Sequence, residues 1–337
     1  MSRRSGARTE RPGLPTLVGV ELSRFRSRRA ILLLVAAAIV LSGLFAAKLA
    51  WDTRPITPED LATAKAQAAI NAKDRQVQAD LKACRERPEE YIGAGGTAEQ
   101  CAETILPRPE SYLARGPLDV DNVLPGHGIA VAILLVVLMM LAGATFAGAD
   151  WASGSMSNQL LFESQRSRIW TAKALALAIG VLVVSTLGLV AFWVPVRLVA
   201  LQRDIAVAGD LQADIGWHVV RTLVLAVVGA VLAYGLTMLF RHTVATVALL
   251  FGASVAAEIL LSLLPFSGSG RISPSHNAFA WLLGDTQYYD STITCSGAGG
   301  CDQVRTLEMW PAGLLIGVVF VVVMVISLVS FRRRDLP

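Results

Sequence analysis

Apolar residues in this chain gather into long unbroken runs. Ala30–Ala47 has 18 residues without a charge, Ile129–Ala149 has 21, Ala174–Val196 has 23, Thr222–Phe240 has 19 and Trp310–Phe331 has 22. A sixth run, Thr243–Leu264, is interrupted only by Glu258. A hydrocarbon layer about 30 Å thick takes roughly 20 helical residues to cross, and a helix satisfies its own backbone hydrogen bonds inside it. Strands of a membrane barrel alternate and would not give such runs. The pattern predicts an all-α integral membrane protein with six transmembrane helices, at 30–51, 128–149, 174–196, 218–240, 243–264 and 310–331. The segments outside them are 1–29, 52–127, 150–173, 197–217, 241–242, 265–309 and 332–337.

Composition removes the alternatives. With 54% hydrophobic and 17% charged residues and a mean hydropathy of +0.54, the chain cannot coat itself for water. Nor does it have the low hydrophobicity of a disordered chain. The first run is preceded by about 29 residues and followed by no small-residue cleavage site before Lys48, so it reads as a retained span rather than a signal peptide.

Charge sets the expected orientation. Segments 1–29, 150–173, 241–242 and 332–337 carry +6, +1, +1 and +2, whereas 52–127, 197–217 and 265–309 carry −4, −1 and −2. Under the positive-inside rule both termini are cytoplasmic. The Arg- and Ala-rich, Lys-poor usage suggests a GC-rich bacterium, in which case the spans are expected in its inner (cell) membrane. All four cysteines fall on the predicted outside, where disulfides persist. Proximity favours Cys84–Cys101 and Cys295–Cys301, although four cysteines allow three pairings. Closing the first of these loops is worth on the order of 3 kcal/mol.

The segments between spans have patterns of their own. Val18, Leu22 and Phe25 form one face of a helix over 16–29 whose other positions carry arginines, which predicts an amphipathic helix on the inner leaflet. That position beside lipid accounts for the basic patch without nucleic acid. In the first outer loop Thr57 is an expected N-cap, with Pro58 at the first helical position. Ile70, Val77, Leu81 and Cys84 then share a face up to Pro88. Thr97–Gln100 forms an expected capping box for a short helix carrying Cys101. The outer loop thus reads as a helical hairpin, either a gate or a spacer. Asn277–Leu283 is too short to span and too apolar for water, and reads as interfacial or re-entrant.

No catalytic constellation is present. The four histidines make no metal spacing, there is no Cys-x-x-Cys pair, and the absence of any Gly-Lys dipeptide excludes a phosphate-binding loop. The chain is therefore expected to hold no cofactor and to be no enzyme by itself. Three charges need explanation: Lys48 at the end of the first span, Arg221 at the start of the fourth, and Glu258 in the fifth. They fall at comparable depths, so Glu258 is expected to pair with Arg221 or Lys48, or to face a wet cavity.

The segment 150–173 is longer than a connection requires. A short helix capped by Ser155 would present Met156, Leu160 and Leu161 on one side, to a partner's groove or to the chain's own amphipathic helix. A second helix would start near Ser164 and run through Trp170 and Lys173.

The order of these features resembles the membrane subunit of ABC exporters of the type-2 permease family. The resemblance rests on the basic helix Val20–Arg29, six spans, and the acidic-Trp-x-x-Gly-Ser stretch Asp150–Ser155. It continues with the basic lead-in Arg166–Lys173, the re-entrant-like segment and the terminal Phe331–Asp335, and covers most of the chain. It implies that 150–173 holds a coupling helix touching a separate ATPase, with Asp150 and Glu163 anchoring the contact and Met156, Leu160 and Leu161 as its apolar face. Asp150 stands where Glu is commoner, and the first outer loop is longer than in the simplest members. The expected partners are ABC ATP-binding subunits, which would bind ATP and Mg, a second permease copy or homologue, and membrane lipid. The competing reading is a non-transporting sensor or assembly protein acting through its outer helical loop. A membrane enzyme using Glu258 is a third.

Overall fold

A computed structural model of the chain describes residues 13–113, 115–163, 165–263, 266–290, 292–293 and 303–333. In chain order its elements are α1 (Leu14–Ser27), α2 (Arg29–Asp52), α3 (Pro58–Asn71), α4 (Arg75–Glu86), α5 (Pro88–Ile92), α6 (Gln100–Ile105), α7 (Val120–Val123), α8 (Ile129–Ala152), α9 (Ser155–Phe162), α10 (Arg166–Gln202), α11 (Gly209–Phe240), α12 (Thr243–Leu263), α13 (Pro274–Leu283), β1 (Asp285–Tyr289), β2 (Val304–Glu308) and α14 (Met309–Arg333). Six segments are long and apolar enough to cross a bilayer: α2, Val120–Ala152, α10, α11, α12 and α14. This is the mark of a multi-pass membrane protein. The chain divides into two units, Lys48–Asp119 and the remainder.

In the larger unit α8, α10 and α11 form the centre, and α12 and α14 lie at the rim. Half or more of the most apolar stretch is buried in each central helix, against 6% in α12 and 11% in α14. Small residues in α8 let its neighbours approach: a Cβ on Gly143 would stand 2.1 Å from the Ala230 carbonyl oxygen, and one on Gly148 1.7 Å from Thr243 Oγ1. Such near-contact of backbones is how membrane helices gain packing where water provides no drive.

The helices outrun the expected spans. At 37 residues α10 is roughly 55 Å long, more than a bilayer core. With α11 starting at Gly209, the expected loop 197–217 is instead two helix ends joined by a turn at 203–208. Pro195 lies inside α10 and cannot donate to the carbonyl one turn back. Helix α1 is also rotated from its expected setting. Its buried positions are Glu21 and Phe25, with Val18 and Leu22 only half-buried. It packs on α10, where Gly180 leaves room for the Phe25 ring. The face centred on Val18, Leu22 and Phe25 therefore gives way to one that turns a carboxylate inward.

Helix α13 is seated against the bundle. Leu282 is buried with Ile129 and Ala132 of α8, and Trp281 Nε1 donates to the Arg221 carbonyl at 2.9 Å. Behind it β1 and β2 pair antiparallel from Asp285↔Glu308 to Tyr289↔Val304, the one departure from an all-helical chain among the described residues. Tyr288 stacks on His276 with centroids 5.5 Å apart, and its ring lies where a Cβ on Gly270 would be.

In the smaller unit Thr57 caps α3, accepting from Asp60 N–H while Asp60 reaches back to Thr57 N–H. The expected single face from Ile70 to Cys84 is broken. Helix α3 ends at Asn71, and Asp74 caps α4 by accepting from Gln76 N–H at 2.8 Å. The expected box at Thr97 is half made: Gln100 Oε1 accepts from Thr97 N–H at 3.0 Å, but α6 begins only at Gln100. Cys84 and Cys101 form a disulfide joining α4 to α6, packed with Leu81. Cys295 and Cys301 lie outside the described residues.

Candidate functional site

The densest polar chemistry lies where α1, α8, α9 and α10 meet, at the end of the bundle opposite α13. Lys173 projects from α10 with none of its side chain exposed. Its ammonium donates to Glu21 Oε2 of α1 at 2.7 Å and to Asp150 Oδ2 of α8 at 2.5 Å. Arg28, in the break between α1 and α2, donates to Asp150 Oδ1 and to the Phe146 carbonyl, each at 2.5 Å. Arg24 closes the group on Glu21 at 2.9 Å. The Phe146 ring lies under both cations, 5.1 Å from the Arg28 guanidinium and 5.5 Å from the Lys173 nitrogen.

Each partner is needed by the others. Charges taken out of water cost several kcal/mol apiece unless geometry and hydrogen bonding return it. Here the two carboxylates share three cations and a hydroxyl, since Ser155 Oγ donates to Asp150 Oδ1 at 2.7 Å. The cluster ties α1, α8, α9 and α10 into one joint.

That joint fixes α9. Gly154 enters it in the left-handed region at φ 69, and Ser155, expected as its cap, is committed to Asp150 instead. At the far end Glu163 accepts from Gln165 N–H and from Arg168, both at 3.0 Å. Of the five residues expected at a coupling contact, Asp150, Met156 and Glu163 are buried within the chain, Leu160 is half-buried and Leu161 is 82% exposed. Beside α9 an open groove of about 150 Å³ runs against α1, lined by Leu17, Val20, Glu21, Arg24, Gln159 and Glu163 among others. Both amide atoms of Gln159 are buried there without a hydrogen-bond partner among the described residues.

The other expected residues are not brought together with one another. Glu258 does not pair with Arg221. Its carboxylate accepts from Ser273 Oγ at 2.9 and 3.0 Å and from Ser275 N–H at 2.8 Å, so it anchors the start of α13. Lys48 pairs with Asp52 one turn along α2. Arg221 lies under Gly284, where a Cβ would meet its guanidinium at 3.0 Å.

Glu21, Arg28 and Lys173 are the residues that sequence reasoning missed. One signal was there: Lys173 is a single charge set between Ile169–Ala172 and the long run that follows. Among the described residues no group of three or more His, Cys, Asp or Glu is placed to hold a metal. Comparison with protein-family models, with curated proteins and with solved structures finds no match.

Proposed function

We propose that the chain is the membrane-spanning permease subunit of an ATP-driven exporter of the ABC type-2 kind. It would lie in a bacterial inner membrane with both termini cytoplasmic, and work with separate ATP-binding subunits and a second permease copy or homologue. One observation carries the reading: α9 is a short helix between the second and third spans, held at both ends yet open along one side. Ser155 and Asp150 fasten its start, Glu163 and Arg168 its finish, and Leu161 stands free. The groove between α9 and α1, with its unpartnered Gln159 amide, suits a helix from a cytoplasmic partner.

A push on α9 reaches Asp150 directly, and through Lys173 and Arg28 it reaches α10 and the α1–α2 break. ATP, with Mg, is bound by the partner, and its closure must favour one of two conformations that differ in substrate affinity. The chain's own share is mechanical.

The test is purification of the tagged full chain from its native membrane in mild detergent. A stoichiometric companion carrying a phosphate-binding loop is expected, and Leu161→Asp is expected to weaken its retention at least tenfold while leaving the chain inserted. Recovery of the chain alone, even with nucleotide present and cross-linking at α9, would overturn the proposal in favour of a sensor or assembly protein acting through Lys48–Asp119.

A further inference from the structure

At the α13 end of the bundle, α10 and α11 line a half-open pocket of about 240 Å³. Its wall is mainly apolar, from Val120, Val196, Ala200, Val207 and Ile215, and its one formal charge is Arg197. Three donors line it: Arg197 and Gln212, both exposed, and Trp193. Arg197 makes no hydrogen bond or ion pair among the described residues. Trp193 lines the same pocket, and its indole N–H is buried without a partner among the described residues. The Gln212 amide reaches only the Val207 carbonyl, at 3.5 Å. Asp204, Asp210 and Asp214 belong to the same connection but do not line the cavity.

Depth narrows the ligand. Val196 closes the charge-free run of α10, so Arg197 stands where hydrocarbon gives way to headgroups. An exposed cation beside an apolar wall is complemented by an anion with a hydrocarbon body. The pocket has room for the first methylenes of an acyl chain, and its open side lets the rest of a lipid lie outside it.

We propose that this cavity is a binding site for an anionic phospholipid. The phosphate accepts from Arg197, and the upper acyl chain lies against Val196, Ala200 and Ile215. This does not depend on the exporter reading.

The experiment uses the full chain in mild detergent, titrated with phosphatidylglycerol or phosphatidylcholine and read by native mass spectrometry. Wild type is expected to retain phosphatidylglycerol about tenfold better, the order expected of one charge-assisted contact. Arg197→Gln is expected to remove that preference, and Ala200→Phe, which fills the chamber, to reduce binding of both lipids. Arg203→Gln, a control in the same connection outside the cavity, is expected to change nothing. If Ala200→Phe fails to give a monodisperse protein, Val207→Phe takes its place. An unchanged preference in Arg197→Gln, an equal loss in Arg203→Gln, or full binding by the filled cavity would each overturn the proposal.

Discussion

Lys173 shows how much one side chain can hold. Its ammonium is shared by Glu21 and Asp150 and sees no solvent. Removing one partner of a buried pair typically costs about 3–5 kcal/mol, because the remaining charges stay buried. Lys173→Met should therefore lower the melting temperature in detergent well beyond Lys82→Met at an exposed pair. Adding Glu21→Gln should recover part of the loss, since neighbours in one network are not additive. A double mutant as unstable as the sum of the singles would show that the cluster is not coupled. Asp150 was legible in the sequence because it opens a segment with its own pattern. Its partnership with Lys173 and Glu21 was not, because Glu21 and Lys173 stand 152 positions apart and periodicity records only neighbours.

At the scale of elements, a helix goes where its buried face finds a partner. The continuous face expected from Ile70 to Cys84 is split because α3 buries Ala64 and Ala68 while α4 buries Leu81 and Cys84. Ile70, expected on that face, is 64% exposed. The start of α3 was read correctly since its cap is local. There the Thr57 N–H, with help from the Thr57 hydroxyl and Arg115, holds the Asp60 carboxyl below its ordinary 3.8. A depressed carboxylate stabilises above the unfolded value and loses that contribution as pH falls through the folded one. Protection of the α3 amides, exchange being taken relative to the intrinsic rate at each pH, should thus hold from neutral pH and fall only below about 3.8. Asp60→Asn should be less protected at neutral pH, with a protection that varies little with acid. A wild-type profile that already loosens between pH 7 and 5 would contradict this. The hairpin β1–β2 escaped the sequence reading altogether: each strand has a single buried residue, Tyr288 or Leu307, which is too little alternation to detect.

For the molecule as a whole, the spans were the most legible feature because lipid turns burial into composition. Every residue facing the bilayer must be apolar, whether or not it packs on protein, so the runs stand out before any contact is known. Their arrangement stayed hidden for the same reason: α8 and α12 are each apolar with a single carboxylate, though one is central and the other at the rim. Trp217 and Trp310, 60% and 75% exposed, stand at the α13 end of α11 and α14, as aromatic residues do where a bilayer meets water.

The bareness of α12 gives the protein an order of failure. That helix is fastened near its first turn, where Thr246 Oγ1 meets Thr237 Oγ1 at 3.1 Å, and near its last, where Glu258 grips Ser273 and Ser275. Between those points most of its residues are exposed, and their neighbour is whatever surrounds the protein. In a bilayer that neighbour is ordered acyl chain; in a micelle it is a loose one. Amides in the middle of α12 should accordingly exchange orders of magnitude sooner than those of α8 in detergent, and the gap should shrink in nanodiscs. Equal rates in both media would show that α12 is held by more than its ends. As detergent hardens, the strap should lift first, and the start of α13 should lose its carboxylate anchor while the charge cluster at the opposite end is still closed.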